Sequence, residues 1–508
     1  MKIVKGELSV KLSQCGRASI GTMMVALPAL WSMLQLFTWW RLPLNSVVLA
    51  VMLGVMLPRA LKRAGAAKPY VLIAAVIAGS AAASGCNMLI GIANMPGILG
   101  AALFAAGVAA AVWVRKFGDV WKASGTLFSI PFMAVLVHPL PLTQSVGFFF
   151  WGMVAAAVAL AWALMARTLE NALPATCSSQ SREQEQGKPQ QDKDQQKKRG
   201  LASSSKMAIQ LAVATLAAFV CAELIDAENI VWPVLTVLIV HSGNRGRGDI
   251  LWKGAQRTVG ALIGVTAASF LTVNLPSGDS ILIVAIFVII AIAAAVREFG
   301  YIFWAICITA ALVFLYSFFG QAGDELTMRL THRLLGIIIG SVIGILCGYF
   351  IFPVRTVDVT RLRIGALLAA AGDFAASAAR GEMNPASLEK LDAANLELSH
   401  FDGVAGAAKY LGFGAARRLN GAVMAAHALA NGLASGSEPL DPSGFASLAR
   451  EIGAARRALS AGASAAMAAT QSATDTAASA ASDNTNPDPA NPLVEYVRAI
   501  ISADLKRK

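Results

Sequence analysis

DSILIVAIFVIIAIAAAV, residues 279–296, decides the fold. After Asp279 it carries no charge, and it contains neither glycine nor proline. A segment apolar on every side and close to the 20 or so residues that a helix needs to cross a bilayer core belongs in lipid. Outward from it, similar runs lie at residues 207–225, 230–242, 256–274, 301–319 and 334–352, and in the first half at 15–38, 43–57, 69–87, 96–114, 121–138 and 146–167. The runs are continuous and rich in Ala, Leu, Ile and Gly. They lack the alternation of a membrane barrel, so they are read as helices. The predicted fold is an all-α polytopic membrane protein, with about twelve transmembrane helices in two six-helix repeats and a cytoplasmic α-helical tail. Its segments are residues 1–175, a linker at 176–206, 207–353 and 354–508.

Composition agrees: 56% of residues are hydrophobic, 14% are charged, and the mean hydropathy is +0.60. The net charge of +12 does not imply nucleic acid, because no binding motif accompanies it and the basic residues fall in alternate loops. Lys2, Lys5 and Lys11 precede the first run; Arg59, Lys62 and Arg63 follow the second; Arg115 and Lys116 follow the fourth; Lys197, Lys198 and Arg199 close the linker; Arg245, Arg247 and Lys253 follow the eighth; Arg355, Arg361 and Arg363 follow the twelfth. The positive-inside rule then puts both termini in the cytoplasm. The lysine-bearing start leads into a long apolar run without a small-residue cleavage site, and is read as a retained first span. Cys15, Cys86, Cys177, Cys221, Cys307 and Cys347 form no C-x-x-C pair and read as packing residues.

Two local matches support the repeat. Arg115-Lys116-Phe117-Gly118-Asp119 resembles Arg297-Glu298-Phe299-Gly300-Tyr301, and Leu42-Pro43-Leu44-Asn45-Ser46-Val47 resembles Trp232-Pro233-Val234-Leu235-Thr236-Val237. Six spans per half leave the copies parallel, related by an axis along the membrane normal. The linker is Gln-, Ser-, Lys- and Asp-rich, too polar to offset its ordering entropy, and is predicted to be disordered. Beyond Pro353, residues 361–380, 385–433, 443–469 and 493–508 read as amphipathic helices.

No G-x-x-x-x-G-K-[ST], H-E-x-x-H or G-x-S-x-G occurs, and no cofactor or metal is expected. Without a nucleotide motif, a duplicated six-span unit points to solute transport rather than chemistry, so no enzyme activity is expected. Arg257 and Arg333 open their spans, each followed by glycine at the third position. Arginine offers a carboxylate a bidentate fork, and glycine lets helices approach closely. At the centre of a span an arginine costs about 3 kcal/mol on insertion scales, and less at an end, where it snorkels. The alternative is that both are topology anchors. The runs after Pro43 and Pro233 are short, as half-helices that present N–H groups to anions are. Asn45, Ser46 and Thr236 add hydrogen-bonding groups there. Trp39, Trp40 and Trp232 either stack on an aromatic ring or sit at the headgroups. Candidate proton-coupling groups are Glu223, Asp226 and His332.

The order of Trp232-Pro233-Val234-Leu235-Thr236, Asn244-Arg245-Gly246-Arg247-Gly248-Asp249, Arg257-Thr258-Val259-Gly260 and Arg333-Leu334-Leu335-Gly336, closing at Phe352-Pro353, resembles the fusaric acid resistance, or aromatic acid exporter, family. The resemblance covers residues 207–353 well and 15–167 weakly, where Lys68-Pro69-Tyr70-Val71 replaces an Arg-x-x-Gly. It implies a bacterial inner-membrane efflux component for aromatic carboxylic acids or similar organic anions, working with a periplasmic adaptor protein and an outer-membrane channel. Coupling to the proton gradient is expected by elimination of ATP. The expected partners are therefore a small organic anion and membrane lipid, with a homo-oligomer left open. A passive anion channel and a non-transporting scaffold are the rival readings.

Overall fold

The computed structural model describes residues 2–40, 44–64, 69–92, 97–137, 142–172, 203–225, 230–242, 246–272, 280–297, 300–318, 320, 323–352, 356–381, 385–399, 401–403, 414–435, 441–461 and 492–502. The polar linker up to residue 202, and the Asp226 and Asn244-Arg245 loops, lie outside them.

Twelve helices follow the apolar runs: α1 Lys2–Trp40, α2 Leu44–Ala64, α3 Pro69–Ile92, α4 Gly97–Trp113, α5 Asp119–Val137, α6 Leu142–Ala172, α7 Ser203–Ile225, α8 Val231–His241, α9 Arg247–Thr272, α10 Ser280–Val296, α11 Tyr301–Phe318 and α12 Gly323–Phe350. They form one compact unit, from residues within 1–174, 199–244 and 253–353. Among the described residues, α1, α3, α4, α6, α7, α11 and α12 hold segments long and apolar enough to cross a membrane, while α2, α5, α8 and α10 hold shorter apolar segments. Several boundaries differ from the sequence reading, beginning with α1, which starts at Lys2 rather than at residue 15. The apolar part of α2 is short, as expected, but the helix itself continues through Pro58 and the basic residues beyond it to Ala64. α9 and α12 begin well before their apolar runs, at Arg247 and Gly323.

Helix pairs recur between the halves. α1 packs on α2 and α6, and α2 on α6; α7 packs on α8 and α12, and α8 on α12. In the first half, Gly79 of α3 rests against the Phe128 backbone of α5; in the second, Gly264 of α9 rests against the Ile306 backbone of α11. Gly118 and Gly300, matched in the sequence, have φ of +124° and +159° and directly precede α5 and α11. That range is open to glycine at little cost, which is why the motif places glycine there.

The core of this unit joins Leu49, Leu53, Leu72, Leu127 and Phe148 to Val234 and Val237 of α8. Phe104 stands edge-on to Phe132 and to Phe219, each at 5.4 Å. Gln210 of α7 closes the end of α12: its Nε2 donates to the carbonyls of Ile351 at 2.6 Å and Phe352 at 3.1 Å. Those carbonyls have no partner within the helix. Phe352 takes a left-handed φ of +46° as the chain turns off.

The second unit comprises residues 245–252 and 354–508. Its helices are α13 Thr356–Ala379, α14 Pro385–Ser399, α15 Gly414–Ser435, α16 Pro442–Ala461 and α17 Pro492–Ser502. The expected single helix over 385–433 is thus two. Leu367, Leu368, Leu391, Leu429, Ile452 and Val497 make its core. α13 is also long and apolar enough to cross a membrane, by composition, but half of that segment is buried within the protein. Asp441 caps α16: its carboxylate accepts from Gly444 N–H at 2.7 Å and Ser443 Oγ at 2.8 Å, with Pro442 at the first helical position. Those two bonds hold the Asp441 carboxyl below its ordinary value. Gly453 in α16 faces open space, with no atom within 4 Å of where a Cβ would stand. Gly453→Ala should therefore stabilise this unit by about 1 kcal/mol through helix propensity, read as a higher denaturation midpoint; an unchanged or lower midpoint would show the site to be crowded.

Candidate functional site

α12 carries Gly336, Gly340 and Gly344 at four-residue intervals, and α8 lies along that stripe. A Cβ on Gly336 would stand 2.6 Å from Trp232 Cβ, and one on Gly340 would strike the Pro233 carbonyl and stand 2.8 Å from Thr236 Cβ. Glycine is what permits this closeness. Arg333 lies one turn before Gly336, on the same face of α12. The docking of α8 therefore buries it completely, with its guanidinium carbon 4.4 Å from the Trp232 ring centroid. None of its three guanidinium nitrogens has a hydrogen-bond partner. The Tyr316 hydroxyl of α11 approaches the group but falls outside hydrogen-bond geometry.

Arg257 repeats the pattern on α9. Gly260 and Gly264 follow it and meet α11: a Cβ on Gly260 would stand 2.8 Å from Ala305 Cβ, and one on Gly264 2.5 Å from the Ile306 carbonyl oxygen. Earlier on α9, Gly254 faces Ile345 and Ser341 of α12, and Thr258 Oγ1 donates to Ser341 Oγ at 3.3 Å. Arg257 is 3% exposed, its Nε has no partner, and its charge acts on Arg333. Tyr301, at the start of α11, faces Arg257 with a buried hydroxyl that meets no partner geometry.

Four helices thus contribute to one buried cationic group of residues, called the cleft below. Among the described residues of α1–α12 the buried charges are Asp249, near the start of α9, and Arg257 and Arg333, and neither arginine forms an ion pair. Thr236 and Thr309 add buried hydroxyls without a partner. Such groups cost free energy unless something neutralises and hydrogen-bonds them. The arrangement suits a ligand that accepts hydrogen bonds and carries negative charge.

The structure brings Arg333, Trp232 and Thr236 together, with Arg257 close by. Two expectations need correcting. Neither arginine opens its helix: each lies ten residues in. One face of the Trp232 ring is already covered by Arg333, so that face cannot stack on a ligand. The Asn45 side chain and Asp226 lie outside the described residues. Glu223 is exposed, and His332 is half-buried on a different face from Arg333. Trp39 and Trp40 are exposed at the end of α1, Trp40 edge-on to Trp151 at 6.4 Å, as headgroup-level tryptophans would be.

In the first half, Ser46, which the motif match pairs with Thr236, is buried without a partner, as are Ser80 and Ser84. No charge is buried among the described residues there. Sequence reasoning missed Tyr301, Tyr316 and His241. Tyr301 had a usable signal, since it ends the repeated Arg-x-Phe-Gly motif. His241 is 4% exposed at the end of α8, with Nδ1 3.2 Å from the Val237 carbonyl and Nε2 unpartnered. Nothing in its scattered sequence context marks it.

A bundle of apolar helices with buried arginines at its glycine-lined contacts fits a multi-pass membrane protein. Residues 212–351, a little over a quarter of the chain, match the family model described as fusaric acid resistance protein-like. The matched residues are similar to that family and include Trp232, Thr236, Arg257 and Arg333. No curated protein matches the chain.

Proposed function

We propose that the chain is a transporter, not an enzyme, and exports organic anions, aromatic carboxylates foremost, from a bacterial cytoplasm across the inner membrane. The carboxylate binds in the cleft of Arg257 and Arg333, hydrogen-bonded by Thr236 and Tyr301. One observation carries this reading: two buried guanidinium groups face a common region with no counter-charge among the described residues. The family match over the same residues supports it.

In this reading α1–α12 are twelve spans in two parallel repeats, and both termini are cytoplasmic. α13–α17 form a cytoplasmic tail, the apolar side of α13 being taken up by the tail's own core. A periplasmic adaptor and an outer-membrane channel would carry the anion onward. The proton gradient drives export, with Glu223, Asp226 and His332 as the candidate carriers.

The test is a toxicity panel. The chain, expressed in a bacterium lacking its own efflux pumps, should raise the tolerated concentration of at least one aromatic carboxylic acid several-fold. Arg257→Ala should return tolerance to the level of the empty vector at unchanged membrane abundance. Full tolerance from that variant would remove Arg257 from the binding site.

A further inference from the structure

We propose that a small inorganic anion, with chloride as the probe of choice, occupies the cleft between Arg257 and Arg333 between turnovers, and that the organic anion moves in exchange for it. The exchange rests on the transport reading above; the binding of chloride does not.

The argument begins with charge. Both guanidinium groups are withdrawn from water, at 0% and 3% exposure, and each lies in the other's field. Among the described residues no carboxylate pairs with either. Arginine holds its proton more firmly than any other side chain, so it does not escape burial by neutralising itself as a lysine would. A buried ion of this kind is stable only with an opposite charge and acceptors for its N–H groups. Trp232 offers Arg333 a ring face at 4.4 Å, which attracts the cation but accepts no hydrogen bond in the guanidinium plane.

The donors specify the ligand further. All three nitrogens of Arg333, Nε of Arg257, Oγ1 of Thr236 and the Tyr301 hydroxyl lack protein acceptors. They come from α8, α9, α11 and α12, helices that glycine lets pack closely. The charges also constrain turnover. Without an anion, two like charges face each other at low dielectric, and a carrier in that form cannot rearrange its packing cheaply. Each passage of an organic anion then requires another anion to take its place. The exchange is compatible with the proton gradient acting at Glu223, Asp226 or His332, because it uses no titrating side chain between the two arginines, which are fixed charges.

Two measurements on the full chain decide the matter. In detergent, the thermal midpoint is compared in sodium chloride and in sodium isethionate, a larger and weakly coordinating anion, at equal ionic strength. Chloride should raise the midpoint by about 2 °C or more. The difference should disappear in Arg333→Gln and shrink in Arg257→Gln. Equal midpoints for the unaltered protein would overturn chloride binding whether or not either variant folds. In proteoliposomes, radiolabelled benzoate is offered to vesicles loaded with chloride or with isethionate. Uptake at least tenfold faster into the chloride vesicles supports exchange, and equal uptake overturns it. If benzoate enters neither, the transport reading fails and the exchange with it, while the melting comparison still decides whether chloride binds.

Discussion

Gly340→Ala is expected to abolish the folded protein. A Cβ at that position strikes the Pro233 carbonyl and comes within 2.9 Å of Pro233 Cα and 2.8 Å of Thr236 Cβ. Two of those atoms are backbone, so no side-chain rotation relieves the overlap. α8 must back away from α12, which opens the contact that buries Arg333 beneath Trp232. The cost should reach at least about 3 kcal/mol, the upper end for overpacking. It should read as loss of the monodisperse peak on gel filtration after extraction from membranes. Gly453→Ala, where nothing stands in the way, serves as the matched control. A normal yield of Gly340→Ala would mean that α8 does not lie on the glycine stripe.

Arg333→Met should produce a more stable protein that does not transport. Methionine is apolar, unbranched and flexible enough to fill the space beside Trp232. It removes a buried cation with no hydrogen-bond partner and no paired carboxylate among the described residues. Replacing buried ionic groups by apolar residues of similar volume is often stabilising by about 1–4 kcal/mol. The midpoint of thermal unfolding, measured without chloride, should therefore rise while carboxylate export falls to background. A structural role for Arg333 predicts the opposite pairing, with stability lost and any folded fraction still active. The two outcomes differ in sign, so one melting curve and one export assay separate them.

The helices were legible in the sequence because lipid admits few alternatives. The run at residues 279–296 returns as α10 within a residue. What hydropathy could not show is how far a helix continues beyond its apolar part. α9 begins nine residues before the run that announces it, and α12 eleven, because Lys253 and Arg329 are as compatible with a helix as leucine is. That is why Arg257 and Arg333 read as span openings, although each lies ten residues inside its helix. The residues of the cleft were visible as types: arginine followed by glycine, and tryptophan before proline. Their meeting was not, since it depends on which faces of α8, α9, α11 and α12 turn toward one another. Tyr316 and His241 gave no signal, because a single polar residue in an apolar run looks the same whether it lines a cleft or packs a core.

α8 has eleven residues. They rise about 16 Å, roughly half the ~30 Å depth of a bilayer's hydrocarbon. In the proposed transport reading α8 leaves the rest of that depth to surroundings more polar than acyl chains, so a resting voltage does not fall evenly along the route past Trp232. A full crossing is worth about 2.3 kcal/mol per elementary charge per 100 mV. Divided by so short a helix, that electrical work acts mainly on one side of the cleft. Either capture of the anion or its escape, but not both in equal measure, should follow the membrane potential.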